Sequence, residues 1–119
     1  MSCLFDSLGR AIGKDGLKLR TEICDFLETD PILYDDIRVS SLLDDPETPS
    51  SLQEYVDAMR SPETWGSALE IECFCRMYSR RVVVKMIPTN TETRFGSFRS
   101  RYPDIYLEWT GGHYENYES

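Results

Sequence analysis

The spacing of apolar residues divides the chain into a helical first two thirds and an extended last third. From Cys3 to Ile12, the residues Leu4, Phe5, Leu8, Ala11 and Ile12 recur at the three-to-four-residue interval of an amphipathic helix, with Gly13 placed to stop it. Leu19, Ile23, Phe26 and Leu27 repeat the pattern in a second helix that ends before Asp30-Pro31, because the residue before a proline is disfavoured in the α conformation. The stretch from Pro31 to Pro49 is acidic and proline-bounded and reads as a loop with short apolar anchors, Ile32, Leu33, Ile37, Leu42 and Leu43. Ser50 and Gln53 have the spacing of a capping box and open a third helix with Leu52, Tyr55, Val56 and Met59 on one face, broken at Ser61-Pro62. A second capping box, Ser67 with Glu70, follows Trp65-Gly66. The helix after it, through Ile71, Cys73, Phe74, Cys75 and Met77 to Tyr78, is apolar nearly all round and belongs at the centre of a fold.

Beyond Ser79 the period changes. Arg81 to Ile87 holds the β-branched run Val82-Val83-Val84 and ends at Pro88, a buried strand. Thr93 to Phe98 fits a short edge strand. Asp104 to Trp109 alternates Ile105, Leu107 and Trp109 with Tyr106 and Glu108, the pattern of a half-buried strand. Gly111-Gly112 makes a tight turn, and His113 to Tyr117 returns as the second strand of a hairpin. Helices first and strands last predict an α+β fold, helices packed around a small, mainly antiparallel sheet, in one domain spanning 1–119.

Composition narrows the function. The 21 acidic and 13 basic residues give a net charge of −8. That balance opposes a phosphate backbone and excludes nucleic acid as the expected partner. The run from Arg94 through Arg99 to Arg101 is the one basic stretch, read as a solvated loop. The remaining surface suits a partner with a basic face. No apolar run approaches the roughly 18 residues that span a bilayer, and no basic stretch followed by an apolar one marks a secretory signal. The expectation is a cytoplasmic protein without a membrane partner. With a single histidine and no C-x-x-C, neither a metal nor another cofactor is expected, and Cys24, Cys73 and Cys75 read as small buried hydrophobes.

Cys3 stands apart because it heads a helix, where the positive end of the dipole favours the thiolate, the nucleophilic form. A buried structural cysteine is the alternative. His113 is the one base available for Cys–His catalysis, and a solvent-exposed histidine at a hairpin tip is its alternative. Residues two apart on a strand share a face, so Glu115 can reach the His113 ring and Asn116 points the other way unless a bulge intervenes. Glu115 also reads as a plain surface carboxylate.

Three segments, in order along the chain, resemble the OTU (ovarian tumour) family of papain-like cysteine proteases. SCLFDSLG resembles the nucleophile motif Asp-Gly-Asn-Cys-Leu-Phe with its helix. TWGSALEIECFCRMYSRRVVV resembles the Trp-Gly loop, central helix with an early Glu, and buried strand. IYLEWTGGHYENYE resembles the penultimate strand and the His-Tyr-Asp/Asn segment. The motif's Asp has no counterpart here, and Met1 stands where the motif has Gly. The resemblance implies a papain-like OTU fold of the compact size found in viral and bacterial-effector members. It implies a thiol-dependent deubiquitinase that cleaves the isopeptide bond after the terminal Gly-Gly of ubiquitin or a ubiquitin-like modifier, with polyubiquitin chains as substrates. Cys3 takes the place of the nucleophile, His113 the base, and Glu115, or else Asn116, the orienting residue. Ser2 and Cys3 backbone N–H groups would form the oxyanion hole, and Trp65, Gly66, Trp109 and Tyr114 would line the channel for the modifier's tail. A viral or effector member would act in the host cytoplasm. Two other readings stand beside it: a catalytically weak or inactive OTU-like module that binds ubiquitin or another protein, and a papain-like viral polyprotein protease.

Overall fold

A computed structural model describes residues 3–33, 37–42, 51–96, 100–111 and 113–116. The first helix, α1 (Cys3–Ile12), buries Leu4, Phe5 and Leu8, while Ala11 is exposed, so the apolar stripe narrows toward the C-terminal end. It stops at Gly13 as its sequence predicts. The next helix, α2 (Gly16–Glu28), is capped by the Asp15 side chain accepting from the Lys18 N–H, and buries Leu19, Ile23, Cys24 and Leu27. Each fully buried Leu or Phe on these stripes contributes about 1.5–3 kcal/mol through removal of apolar surface from water.

The segment after α2, expected to be loop, carries structure. It holds two short antiparallel strands, β1 (Ile32–Leu33) and β2 (Ile37–Arg38), and a single helical turn, α3 (Val39–Leu42). Two-residue strands are too short to show a period in sequence. What holds them is local polar bonding: the Asp30 carboxylate accepts from the Ser40 N–H (2.8 Å) and Oγ (2.9 Å), and the Val39 N–H donates to Pro31 O. Leu33 and Val39 anchor the segment in the core. Leu43, Pro49 and Ser50 lie outside the described residues.

Helix α4 (Leu52–Met59) starts one residue later than its expected capping box. Ser51, not Ser50, is the N-cap and accepts from the Glu54 N–H at 3.1 Å, while Gln53 donates instead to Asp57. The central helix α5 (Ala68–Tyr78) has the capping box that the sequence predicts, Ser67 with Glu70, and buries Ile71, Cys73, Phe74 and Cys75.

The strands β3 (Val82–Met86), β4 (Thr91–Phe95), β5 (Ile105–Trp109) and β6 (Tyr114–Asn116) form one sheet in the order β4-β3-β5-β6. The outer pairs are antiparallel and β3–β5 is parallel, so the sheet is mixed with antiparallel pairs in the majority. Ile87 leaves β3 for a 3-10 turn with Pro88. The edge strand β4 begins at Thr91 rather than Thr93 and ends at Phe95; Phe98 and Arg99 lie outside the described residues. Arg94 therefore sits on a strand, exposed, and not in a loop. The inner sheet face, through Val82, Val84, Ile105 and Leu107, joins the helices in one core. Val83 is buried too, which is why β3 reads as an unbroken apolar run. Among the described residues no helix is long and apolar enough to cross a membrane.

Candidate active site

The β5–β6 hairpin sets the histidine. Gly111 takes a φ of 107°, open to glycine at little cost, and the Thr110 N–H donates to the His113 carbonyl at 3.1 Å to close the turn. Gly112 lies outside the described residues. From that turn the His113 Nε2 lies 3.1 Å from Glu115 Oε1, the contact that strand alternation predicts for residues two apart. An ionised carboxylate can only accept, so Nε2 carries the proton in this pair and Nδ1 of the neutral ring is left as the acceptor. Both side chains are open to solvent, 46% and 62% exposed.

Asn116 faces the other way. Its Nδ2 donates to Ser7 O (2.9 Å) and its Oδ1 accepts from Arg10 (2.9 Å), while Ser7 Oγ donates to Tyr114 O (3.2 Å). Three bonds thus latch β6 onto α1. Of the two candidates for orienting the imidazole, Glu115 is bonded to it and Asn116 is committed to the helix. The latch runs from Arg10 and Asn116 back to Ser7 and Tyr114, so the helix start and the hairpin turn lie toward the same end of the contact. Cys3 is the first residue of α1. Ser2 lies outside the described residues.

The Trp65-Gly66 loop packs on the same helix start. A Cβ at Gly66 would lie 2.5 Å from Leu4 Cδ2 and 3.1 Å from Phe5 Cε2, so any larger residue would have to push these side chains aside for the backbone to approach this closely. Trp65 is 60% exposed and is no core residue. Trp109 is half-buried against the core and stands opposite Tyr114 in the β5–β6 register. Tyr114, with Ala68, Ile71, Val84 and Met86, lines an apolar cavity of about 160 Å³ between α5 and the inner sheet face.

Two buried charges hold this loop, and the sequence reading passed over one of them. Arg20, 2% exposed, donates to Met59 O (2.7 Å) and Thr64 O (2.8 Å), and its guanidinium lies 4.2 Å from the centre of the Phe5 ring. Its signal was a charge on the apolar stripe of α2, between Leu19 and Ile23. Glu70, fully buried, accepts from Ser67 N–H (2.7 Å), Ser67 Oγ (2.7 Å) and Tyr55 Oη (2.6 Å). Burial pushes its carboxyl above the usual range, against the pull of those bonds.

Cys24, Cys73 and Cys75 are buried free thiols. Burial pushes Cys24 up to about 11 and Cys75 up to about 12, and raises Cys73 as well. None of the three supplies a thiolate near neutral pH. Among the described residues no three His, Cys, Asp or Glu side chains converge to hold a metal ion.

No family model matches the chain. Curated relatives do: the mouse ubiquitin thioesterase OTU1 is 27% identical over 120 residues, covering 96% of this chain and 32% of that protein. An Arabidopsis thaliana ovarian tumor domain-containing deubiquitinating enzyme is 26% identical over 117 residues, covering 96% and 52%. The chain thus spans about a third to a half of the length of these relatives. Among solved structures, an OTU domain in complex with ubiquitin aligns with a TM-score of 0.74 at 22% identity, over 97% of this chain and 62% of that one. The viral OTU protease of Dera Ghazi Khan virus aligns at 0.72 with 16% identity, over 97% and 72%. An OTU deubiquitinase of Wolbachia pipientis aligns at 0.70 with 16% identity, over 97% and 80%. Five helices around a small mixed sheet are the OTU fold, and in sequence the chain is similar to OTU-domain deubiquitinating enzymes over nearly its whole length.

Proposed function

We propose that this chain is a cysteine-type deubiquitinase that cleaves after the C-terminal Gly-Gly of ubiquitin or a ubiquitin-like modifier. The observation that carries the reading is the His113–Glu115 bond at the end of a strand latched to the helix that Cys3 heads. Glu115 holds the imidazole through Nε2 and leaves Nδ1 as the ring's acceptor, the arrangement a general base needs. The Cys3 thiolate attacks the carbonyl carbon of the terminal glycine, and backbone N–H groups of Cys3 and Ser2 receive the oxyanion. Protonated Nδ1 then gives its proton to the leaving lysine amine as the C–N bond breaks. Water, deprotonated by His113, attacks the resulting thioester and releases the modifier and the thiolate. Trp65 with Gly66 on one side and Trp109 with Tyr114 on the other wall the tail channel, in which only glycines fit beside the nucleophile. Kinship to ubiquitin thioesterases and a solved OTU domain that holds ubiquitin support this choice of substrate.

The test is reaction with ubiquitin carrying a C-terminal electrophile. The expected result is a covalent adduct with the wild-type chain and none with Cys3→Ala. Binding of ubiquitin without an adduct would instead identify a binding module. Equal cleavage of ubiquitin chains by wild type and Cys3→Ala would rule out Cys3 as the nucleophile.

A further inference from the structure

We infer that Arg20 and Glu70 are positioning residues that clamp the Trp65-Gly66 loop from both sides against the start of α1. The inference rests on the reading of Cys3 as the nucleophile. A buried ionisable group is costly unless it is hydrogen-bonded, and these two place their bonds on the loop between α4 and α5 and on the α4 residues that flank it. Arg20 takes the carbonyls of Met59 and Thr64, just ahead of Trp65, with Pro62 O at 3.5 Å. Glu70 takes the N–H and the hydroxyl of Ser67, directly after Gly66. Trp65 and Gly66 lie between the two anchors.

The stack continues toward the nucleophile. The Arg20 guanidinium lies over the Phe5 ring, and Phe5 and Leu4 are the side chains that Gly66 presses upon. Leu4 and Phe5 directly follow Cys3. One buried cation therefore fixes both the loop carrying the exposed Trp65 and the first turn of the helix that Cys3 heads. Tyr55 completes the other side, donating to Glu70 at 2.6 Å and tying α4 to the same point. The loop has no regular structure of its own, so these side chains replace the missing backbone ladder. Displacing a channel wall by about 1 Å costs on the order of 10²-fold in rate when geometry controls the reaction.

The experiment reads the loop as well as the reaction. The chain has two tryptophans, so in a Trp109→Phe background the fluorescence anisotropy of Trp65 reports how firmly the loop is held. Iodoacetamide labelling counted by mass reports the fold, because Cys24, Cys73 and Cys75 react only if the core opens. Arg20→Met is expected to lower the Trp65 anisotropy while those three cysteines stay unlabelled, and Trp65 in Arg20→Lys to lie between. With Trp109 retained, Arg20→Met is expected to slow the ubiquitin adduct by about tenfold or more. If Arg20→Met opens the core, Glu70→Gln, which keeps its volume, tests the other anchor by the same readouts. Unchanged Trp65 anisotropy in the variant that stays folded overturns the clamp. If the wild-type chain forms no adduct, the reading of Cys3 falls, and the anisotropy still decides the clamp on its own.

Discussion

Two carboxylates, Glu70 and Glu115, flank the candidate site in opposite surroundings. Glu70 is sealed in the core with three donors on it, and its environment resists the charge. Glu115 is 62% exposed and touches one ring, that of His113. The first acts on backbone: it fixes where a loop leaves the core. The second acts on a side chain in water, where an exposed polar contact is worth little to the fold. The scaffold of the candidate site is therefore set on its helical side, while the sheet edge carries the group proposed to handle protons.

That division predicts opposite mutational signatures. His113→Ala should lower turnover of a ubiquitin substrate by about 10²–10⁴-fold. The same change should leave the urea-denaturation free energy within about 0.5 kcal/mol, since the residue is exposed. Glu70→Ala should do the reverse on stability: stranding the Ser67 and Tyr55 donors should cost about 3 kcal/mol in urea denaturation. A stable Glu70→Ala protein would break the comparison.

Glu115→Ala is expected to reduce turnover about tenfold at unchanged stability, by freeing the imidazole rather than removing it. Asn116→Ala removes the latch to Ser7 and Arg10, one bond of which is solvent-exposed, and should cost about 1 kcal/mol of stability. A larger loss of rate in Asn116→Ala than in Glu115→Ala would exchange the roles given to these two residues.

The smallest effect is in the pH dependence of stability. The folded-state pKa of Glu70 is raised, so between the ordinary glutamate value and that higher one the folded chain holds a proton that the unfolded chain has released. Glu70 thus makes stability fall as pH rises from about 4.5 through its folded pKa. Asp30, lowered by the Ser40 N–H and hydroxyl, has the opposite sign: its contribution is present above the ordinary aspartate range and is lost as pH falls through its lower folded value. Urea midpoints across this range should show the Glu70 slope in wild type and its absence in Glu70→Gln.

Most regular elements were legible in the sequence where a period runs long enough to count. The helices α1, α2 and α5 and the strands β3 and β5 lie within three residues of where their apolar spacing puts them. The β1–β2 pair was not legible, because two residues carry no period, and the cap of α4 moved one serine along because Ser50 and Ser51 are alike in chemistry. Within the site, the His113–Glu115 bond followed from strand alternation, as did the turning away of Asn116. Arg20 was missed because a pattern of apolar positions has no place for a charge on the buried stripe, although that misfit was itself the signal.

The sequence by itself determined the longer helices, the inner strands, the candidate pair Cys3 and His113, and the resemblance that joined them. Those features depend on contacts within one element or on the order of motifs along the chain. Only the tertiary structure decided that Asn116 serves the helix, that Trp65 is exposed while Trp109 packs on the core, and that Arg20 reaches the loop beside Gly66. These depend on partners as many as 109 residues apart, and a buried polar group takes whichever backbone acceptor or donor the packed fold brings within reach.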